Sequence, residues 1–183
     1  MIIISIIYLI ILWAELLLIF EKLYKLMSSI YNILLKEHNS IKEKDSLKEI
    51  GGESYIIFKD KDGFPHWYLR FIGPQNSPYE GGFFYIEIKF PKDYPNSAPK
   101  AQMRTPTYHP FILTSNGNIC IDYITNWKNS YDVHGLILSI FYILAYPPPD
   151  GYNKLDKEKA KEFTKKYASK EQIINSWDMG WNE

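Results

Sequence analysis

Residues 82–90, GFFYIEIKF, alternate in character: Phe84, Ile86, Ile88 and Phe90 fall on one side, and Tyr85, Glu87 and Lys89 on the other. A period of two marks a strand with one buried face, and it commits the chain to a sheet. Two more strand-like runs precede it, SYIIFKD at 54–60 and FPHWYLRFI at 64–72, flanking Lys61-Asp62-Gly63. An Asp-Gly pair supplies the positive φ of a tight hairpin turn. A short fourth strand is expected at 100–105, after Pro99. Together they predict a four-stranded antiparallel meander with one buried face.

Helical spacing governs other segments. Leu23, Leu26, Met27, Ile30, Ile33 and Leu34 recur at intervals of three and four, one stripe of a helix over 21–38. Residues 39–53, NSIKEKDSLKEIGGE, read as a loop ending in Gly51-Gly52. From 106 to 132 the chain is irregular, rich in Asn, Thr, Ser and Pro, and holds the only cysteine. Irregular segments of this length inside a domain are usually functional. Residues 133–145, VHGLILSIFYILA, have the character of a buried core helix, too short to cross a membrane and stopped by Pro147-Pro148-Pro149. A last amphipathic helix over 155–168 places Leu155, Phe163 and Tyr167 toward the core. This order of helix, four strands, loop and two helices is an α+β domain.

Composition removes several function classes. Lys+Arg and Asp+Glu both total 21, and a net charge of zero does not suit general binding to phosphate backbones. One cysteine excludes an intrachain disulfide, and with four scattered histidines it offers no zinc spacing. No Gly-rich strand-to-helix loop is present, so neither ATP hydrolysis nor nicotinamide chemistry is expected of the chain. No metal or bound cofactor is expected.

Residues 1–20, MIIISIIYLIILWAELLLIF, carry a single charge, Glu15. As a helix, twenty residues span about 30 Å, the thickness of a hydrocarbon core. Glu15 near its middle would cost about 3 kcal/mol on insertion, which the Ile and Leu residues offset. A signal peptide is a second reading, although no basic residue precedes the run and no small-x-small cleavage site follows. The third is a helix packed on the domain, which needs a groove able to hide a helix apolar on every side. Lysines from Lys22 to Lys48 fit a cytosolic domain next to a membrane span, but interleaved acids weaken that count. The expected organisation is a signal or membrane-anchor segment at 1–20, a catalytic domain at 21–176 and a short tail at 177–183.

Beyond periodicity, an ordered set of short motifs stands out. Residues 64–90 read FPHWYLRFIGPQNSPYEGGFFYIEIKF, then Pro91, Asp93, Tyr94-Pro95 and Ala98-Pro99-Lys100. Tyr108-His109-Pro110 follows, and after it Ser115-Asn116-Gly117-Asn118-Ile119-Cys120-Ile121-Asp122, Trp127 and the Leu136–Leu144 helix. The set resembles ubiquitin-conjugating enzymes from about residue 27, near Leu34-Leu35-Lys36-Glu37, to about 168. That resemblance implies the family's fold, with an N-terminal helix, a four-stranded meander, an active-site loop and helices. It also implies that Cys120 carries ubiquitin or a ubiquitin-like modifier as a thioester, received from an activating enzyme and passed to a lysine. ATP is then used by the activating enzyme and not by this chain. A thiolate can form such a labile acyl bond without a metal.

By the same resemblance, His109 braces the active-site loop. The family's asparagine after His-Pro, linked to the oxyanion, is here Phe111, which offers no donor. One extra residue also separates His109-Pro110 from Cys120 relative to the family spacing. Asn118, Asn116 or a backbone N–H could substitute, with Asn118 or the backbone preferred and Asn116 reading as turn chemistry. Asp150 matches a family acid that orients the incoming lysine, but it fits equally well as a cap for the next turn. The stretch after Asp150 is about a dozen residues shorter than is usual in the family, which predicts a reduced C-terminal helical region that Trp177 and Trp181 could cover. Asn96 and Lys128-Asn129-Ser130 replace the family's Phe and Ser-Pro-Ala at the ligase patch, so a specialised ligase is expected. A membrane-tethered member of the family implies protein quality control at an endomembrane. A signal-peptide reading of residues 1–20 implies a lumen or an organelle reached from it, and a cytoplasmic location is the alternative. The competing function is a noncatalytic ubiquitin-binding scaffold of the same fold.

Overall fold

In the computed structural model, which describes residues 2–43, 53–57, 66–146, 148 and 154–169, four strands pair in chain order. They are β1 (Glu53–Ile57), β2 (His66–Ile72), β3 (Phe83–Lys89) and β4 (Lys100–Met103), all antiparallel. The register sets Trp67 opposite Ile88, Leu69 opposite Ile86 and Phe71 opposite Phe84, all of them buried. Ala101 and Met103 of β4 continue this apolar face opposite Ile88 and Ile86. The Asp62-Gly63 turn expected between β1 and β2 lies outside the described residues.

Four helical segments accompany the sheet: α1 (Ile2–Glu43), α2 (Asp122–Thr125), α3 (Val133–Ala145) and α4 (Lys157–Phe163), the last running on as a π-helical turn, Thr164–Ala168. The side chain of Asp132 caps α3 by accepting from Gly135 N (2.8 Å), and Asp156 caps α4 by accepting from Lys159 N (3.0 Å). Val133, Leu136, Ile137, Ile140 and Leu144 of α3 are buried, and Phe141 meets Phe71 of the sheet edge-on at 6.2 Å. Each side chain of this size contributes about 1.5–3 kcal/mol on burial, which holds α3 in the core.

Two sequence expectations need correction. First, residues 39–43 are helical rather than loop. Ile41 is buried and lies seven residues beyond Leu34, so the stripe of Ile30 and Leu34 continues for two more turns and its burial outweighs the poor helix propensity of Asn39 and Ser40. Second, β3 is covered on both faces: Tyr85 and Glu87, expected outside, are only 2% and 3% exposed. As an inner strand, β3 has partners on both sides, and side chains from them and from Arg104 reach across to Glu87. Glu87 accepts from Tyr68 Oη (2.7 Å) and pairs with His66 Nδ1 (2.9 Å), with Lys89 and Arg104 within 3.4 and 3.6 Å. Burial pushes this carboxyl's pKa up, but these partners outweigh it and hold the pKa below the ordinary value.

The amino-terminal half of α1 packs on nothing described. From Ile7 to Phe20 every described side chain is exposed, with Trp13 at 68% and Phe20 at 73%. Among the described residues no groove covers this run in the way a docked helix requires. Among the described residues no helix is long and apolar enough to cross a membrane. Burial begins at Ile30.

Candidate active site

Cys120 sits on one arm of a small irregular hairpin laid along β4. Its N–H donates to Phe111 O (2.8 Å), and Leu113 N donates to Asn118 O (2.9 Å). Isolated bridges join Ile112 to Ile119 and Gln102 to Asn118, and Met103 N donates to Gly117 O (2.7 Å), tying the hairpin to the sheet edge. Gly117, at φ 73, takes the left-handed conformation that closes the turn. Alternation along 118–121 then buries Ile119 and Ile121 and leaves Asn118 and Cys120 exposed. The thiol is free and open to solvent.

His109 is buried beneath this arm. Its Nδ1 accepts from Phe111 N (3.1 Å) and its Nε2 donates to Ile143 O of α3 (3.1 Å), an arrangement that one neutral tautomer satisfies. Desolvation lowers its pKa to about 4, so the ring is uncharged at neutral pH and ties the loop to α3. Tyr79, from the Ser-Pro-Tyr turn, donates to Tyr108 O (2.8 Å) and lies 6.2 Å from the imidazole. The ring of Phe111 is half-buried at 5.5 Å from His109.

The thiol borders an open groove of about 740 Å³ between the hairpin and α3. On the cysteine side its wall holds Phe111, Asp122 and Asn126, and on the α3 side Leu138, Ser139 and Tyr142. Asp122 opens the single turn of α2, two residues after Cys120, and Asn126 is the residue that ends it, its N–H donating to Asp122 O (2.8 Å), so the turn brings both to the groove wall. Sequence reasoning missed both, although the i, i+4 spacing directly after the cysteine was a usable signal. Asn116 lies in the turn, where its Oδ1 accepts from Asn118 N (2.9 Å), and Asn118 is exposed but outside the groove wall. Asp150, Trp177 and Trp181 lie outside the described residues. A larger cavity of about 1230 Å³ lies elsewhere, between Ser77-Pro78, Tyr146 and the start of α4, and lacks the cysteine. No cluster of potential metal ligands occurs among the described residues.

Behind the groove an aromatic chain leads back to α1. Tyr123 stacks on Tyr131 with centroids 4.4 Å apart, and Trp127 meets both at 5.8 Å. Trp127 Nε1 donates to Pro95 O (2.7 Å) and its ring lies 5.9 Å from Tyr94. Tyr94 Oη donates to Glu37 of α1 (2.9 Å), whose other carboxylate oxygen accepts from Val133 N at the start of α3 (3.1 Å). One carboxylate thus joins α1, the Tyr-Pro segment and the helix that roofs the groove.

The family model for ubiquitin-conjugating enzymes matches residues 34–178, most of the chain and every element around the thiol. The chain belongs to the ubiquitin-conjugating enzyme family. Among solved structures, it is similar to the conjugating domain of a ubiquitin conjugating enzyme from Toxoplasma gondii, with 28% identity over 73% of this chain and 99% of that one and a TM-score of 0.57. It is likewise similar to a candidate ubiquitin conjugating enzyme from Plasmodium yoelii, with 28% identity over 75% and 96% of the two chains and a TM-score of 0.60. The helix, meander and following helices are those of this conjugating-enzyme fold.

Proposed function

We propose that Cys120 accepts ubiquitin or a ubiquitin-like modifier from an activating enzyme as a thioester, and passes it to a substrate lysine with or without a ligase. One observation carries the reading: the only thiol of the chain is exposed on a braced hairpin arm at the rim of a groove. A structural cysteine is usually a buried small hydrophobe, and this one is not. In loading, the Cys120 thiolate attacks the carbonyl carbon of the activating enzyme's thioester. That enzyme's thiolate leaves, and one C–S bond replaces another. The activating enzyme consumes the ATP, and this chain needs no cofactor for the exchange.

A noncatalytic ubiquitin-binding scaffold is the second reading, and Phe111 favours it, because an apolar ring stands where the family's donor is expected. One experiment separates the two. The full chain in detergent is incubated with activating enzyme, ATP and ubiquitin, then run on a nonreducing gel beside Cys120→Ala. The enzyme reading predicts an adduct lost with reductant and absent from the variant. No adduct with ubiquitin, nor with other ubiquitin-like modifiers and their own activating enzymes, would leave the scaffold.

Residues 1–20 are proposed as a membrane-targeting or anchoring segment, placing the domain at an endomembrane or in the secretory pathway and its work in protein quality control. Support comes from the apolar run itself and from the exposure of every side chain in its described part. Stranding such a surface in water carries a penalty of about 25 cal/mol per Å². The chain should float with liposomes and resist carbonate extraction, and recovery in the soluble fraction would refute the assignment. The altered ligase patch at Asn96 and Lys128-Asn129-Ser130 points to a specialised ligase, read out as weak discharge with generic ligases.

A further inference from the structure

We propose that Asn126 supplies the side-chain hydrogen-bond donor that the conjugation step lacks at Phe111, a role that rests on the thioester reading of Cys120. In that step the neutral amine nitrogen of a lysine attacks the thioester carbonyl carbon, and the C=O π pair moves onto oxygen. The pair returns as the C–S bond breaks. Cys120 leaves as a thiolate, and the attacking nitrogen loses a proton to solvent. The oxyanion formed between these events needs a preorganised donor.

Most polar groups around the thiol are already committed. The N–H of Cys120 donates to Phe111 O, and Phe111 N donates to His109 Nδ1. His109 Nε2 donates to Ile143 O, and Ser139 Oγ to Gly135 O. Tyr123 Oη is engaged with Asp132, and the amide oxygen of Asn116 with Asn118 N. Asn126 differs in three respects. It lines the same groove as Cys120, and Asn118 does not. It is exposed, with no side-chain hydrogen bond to other described residues. Its backbone is fixed, because Asn126 N donates to Asp122 O (2.8 Å) and closes the turn that follows the cysteine. The residue is therefore anchored through its backbone on the same short segment as the thiol, and its side-chain amide keeps both N–H bonds for a ligand. The other side-chain donors on the wall with no hydrogen bond to other described residues are the hydroxyls of Tyr131 and Tyr142, carried by rings stacked on Tyr123 at 4.4 Å and packed against Tyr146 at 4.8 Å.

The test is a single-turnover discharge. Full-length protein in detergent is charged to completion with ubiquitin, the activating enzyme is stopped by removing ATP, and free lysine is added while thioester loss is followed on nonreducing gels. Asn126→Ala should charge to the parent's end point and discharge about 100-fold more slowly. Asn126→Asp, the same shape without a donor, should be at least as slow, which a merely space-filling role would not produce. Introducing Phe111→Asn into the Asn126→Ala protein should restore discharge. Parent-rate discharge by Asn126→Ala or Asn126→Asp overturns the proposal while leaving the charged enzyme intact, as does slowing confined to Tyr131→Phe or Tyr142→Phe. Failure of the parent itself to charge removes the thioester reading, and this proposal with it.

Discussion

Replacing Glu37 by alanine should loosen the groove from a distance. Its carboxylate accepts from Tyr94 Oη, at 2.9 and 3.0 Å to its two oxygens, and from Val133 N at 3.1 Å. Val133 and Tyr94 are themselves buried, so alanine leaves an amide and a hydroxyl without a partner away from water. Each stranded group costs about 1–3 kcal/mol, and relief of the buried carboxylate offsets part of the sum. The expected net loss is about 2–3 kcal/mol, a fall of roughly 4–10 °C in midpoint for a domain of this size. Glu37→Gln keeps a carbonyl acceptor and an amide donor in the same volume and should lose less than about 1 kcal/mol.

The pH dependence follows from burial, which raises the Glu37 pKa above 4.5. The folded state therefore binds the proton more tightly than the unfolded one, and stability from this group is fully present below the unfolded value and lost as pH rises through the folded one. The stability of the parent relative to Glu37→Gln should accordingly be greatest at acid pH and shrink toward neutrality. Tryptophan fluorescence during thermal unfolding, with Trp67 buried and Trp127 in the affected aromatic chain, gives the midpoints. Amide exchange at Val133 reports the broken contact directly. Unchanged Val133 protection in Glu37→Ala, or a parent advantage over Glu37→Gln that grows with rising pH, would refute the reasoning.

Other outcomes follow from single positions. His109, held neutral with a pKa of about 4, opposes folding below its ordinary 6.5, so its contribution is intact above that value and lost as pH falls from 6.5 toward 4. The loss should reach about 2 kcal/mol by pH 5, and urea midpoints at pH 7 and 5 should show a flatter slope in His109→Gln. A methyl group on Gly73 would overlap the backbone carbonyl of Tyr79, so Gly73→Ala should destabilise by about 3 kcal/mol or more, seen as a large drop in thermal midpoint. Because Cys120 is exposed, a small alkylating agent should modify it in the native protein without denaturant and block charging, whereas a requirement for unfolding would contradict its placement.

Much of the framework was legible in the chain, for local reasons. Alternation over 82–90 reported β3, and the apolar stretch 133–145 reported α3, because period and composition record which faces are buried. The ordered motifs around Cys120 pointed to the family before any fold was drawn. Where local signals conflicted with packing, packing prevailed: Asn39 and Ser40 look like loop residues, yet burial of Ile41 carries α1 past them.

Tertiary structure alone decided the rest. Glu37 and Val133 are 96 residues apart, and a hydrogen bond between them leaves no periodic trace in either segment. The burial of Glu87 involves His66 and Tyr68 of β2 and Arg104 just past β4, whose side chains meet it across the sheet face, which alternation within one strand cannot register. The groove likewise exists only because α3 lies across from the hairpin, turning Asp122 and Asn126 from ordinary polar residues into neighbours of the thiol. Sequence reports the faces a segment must bury, since that is set by its own side chains. Which distant groups meet across those faces is set by how the segments pack.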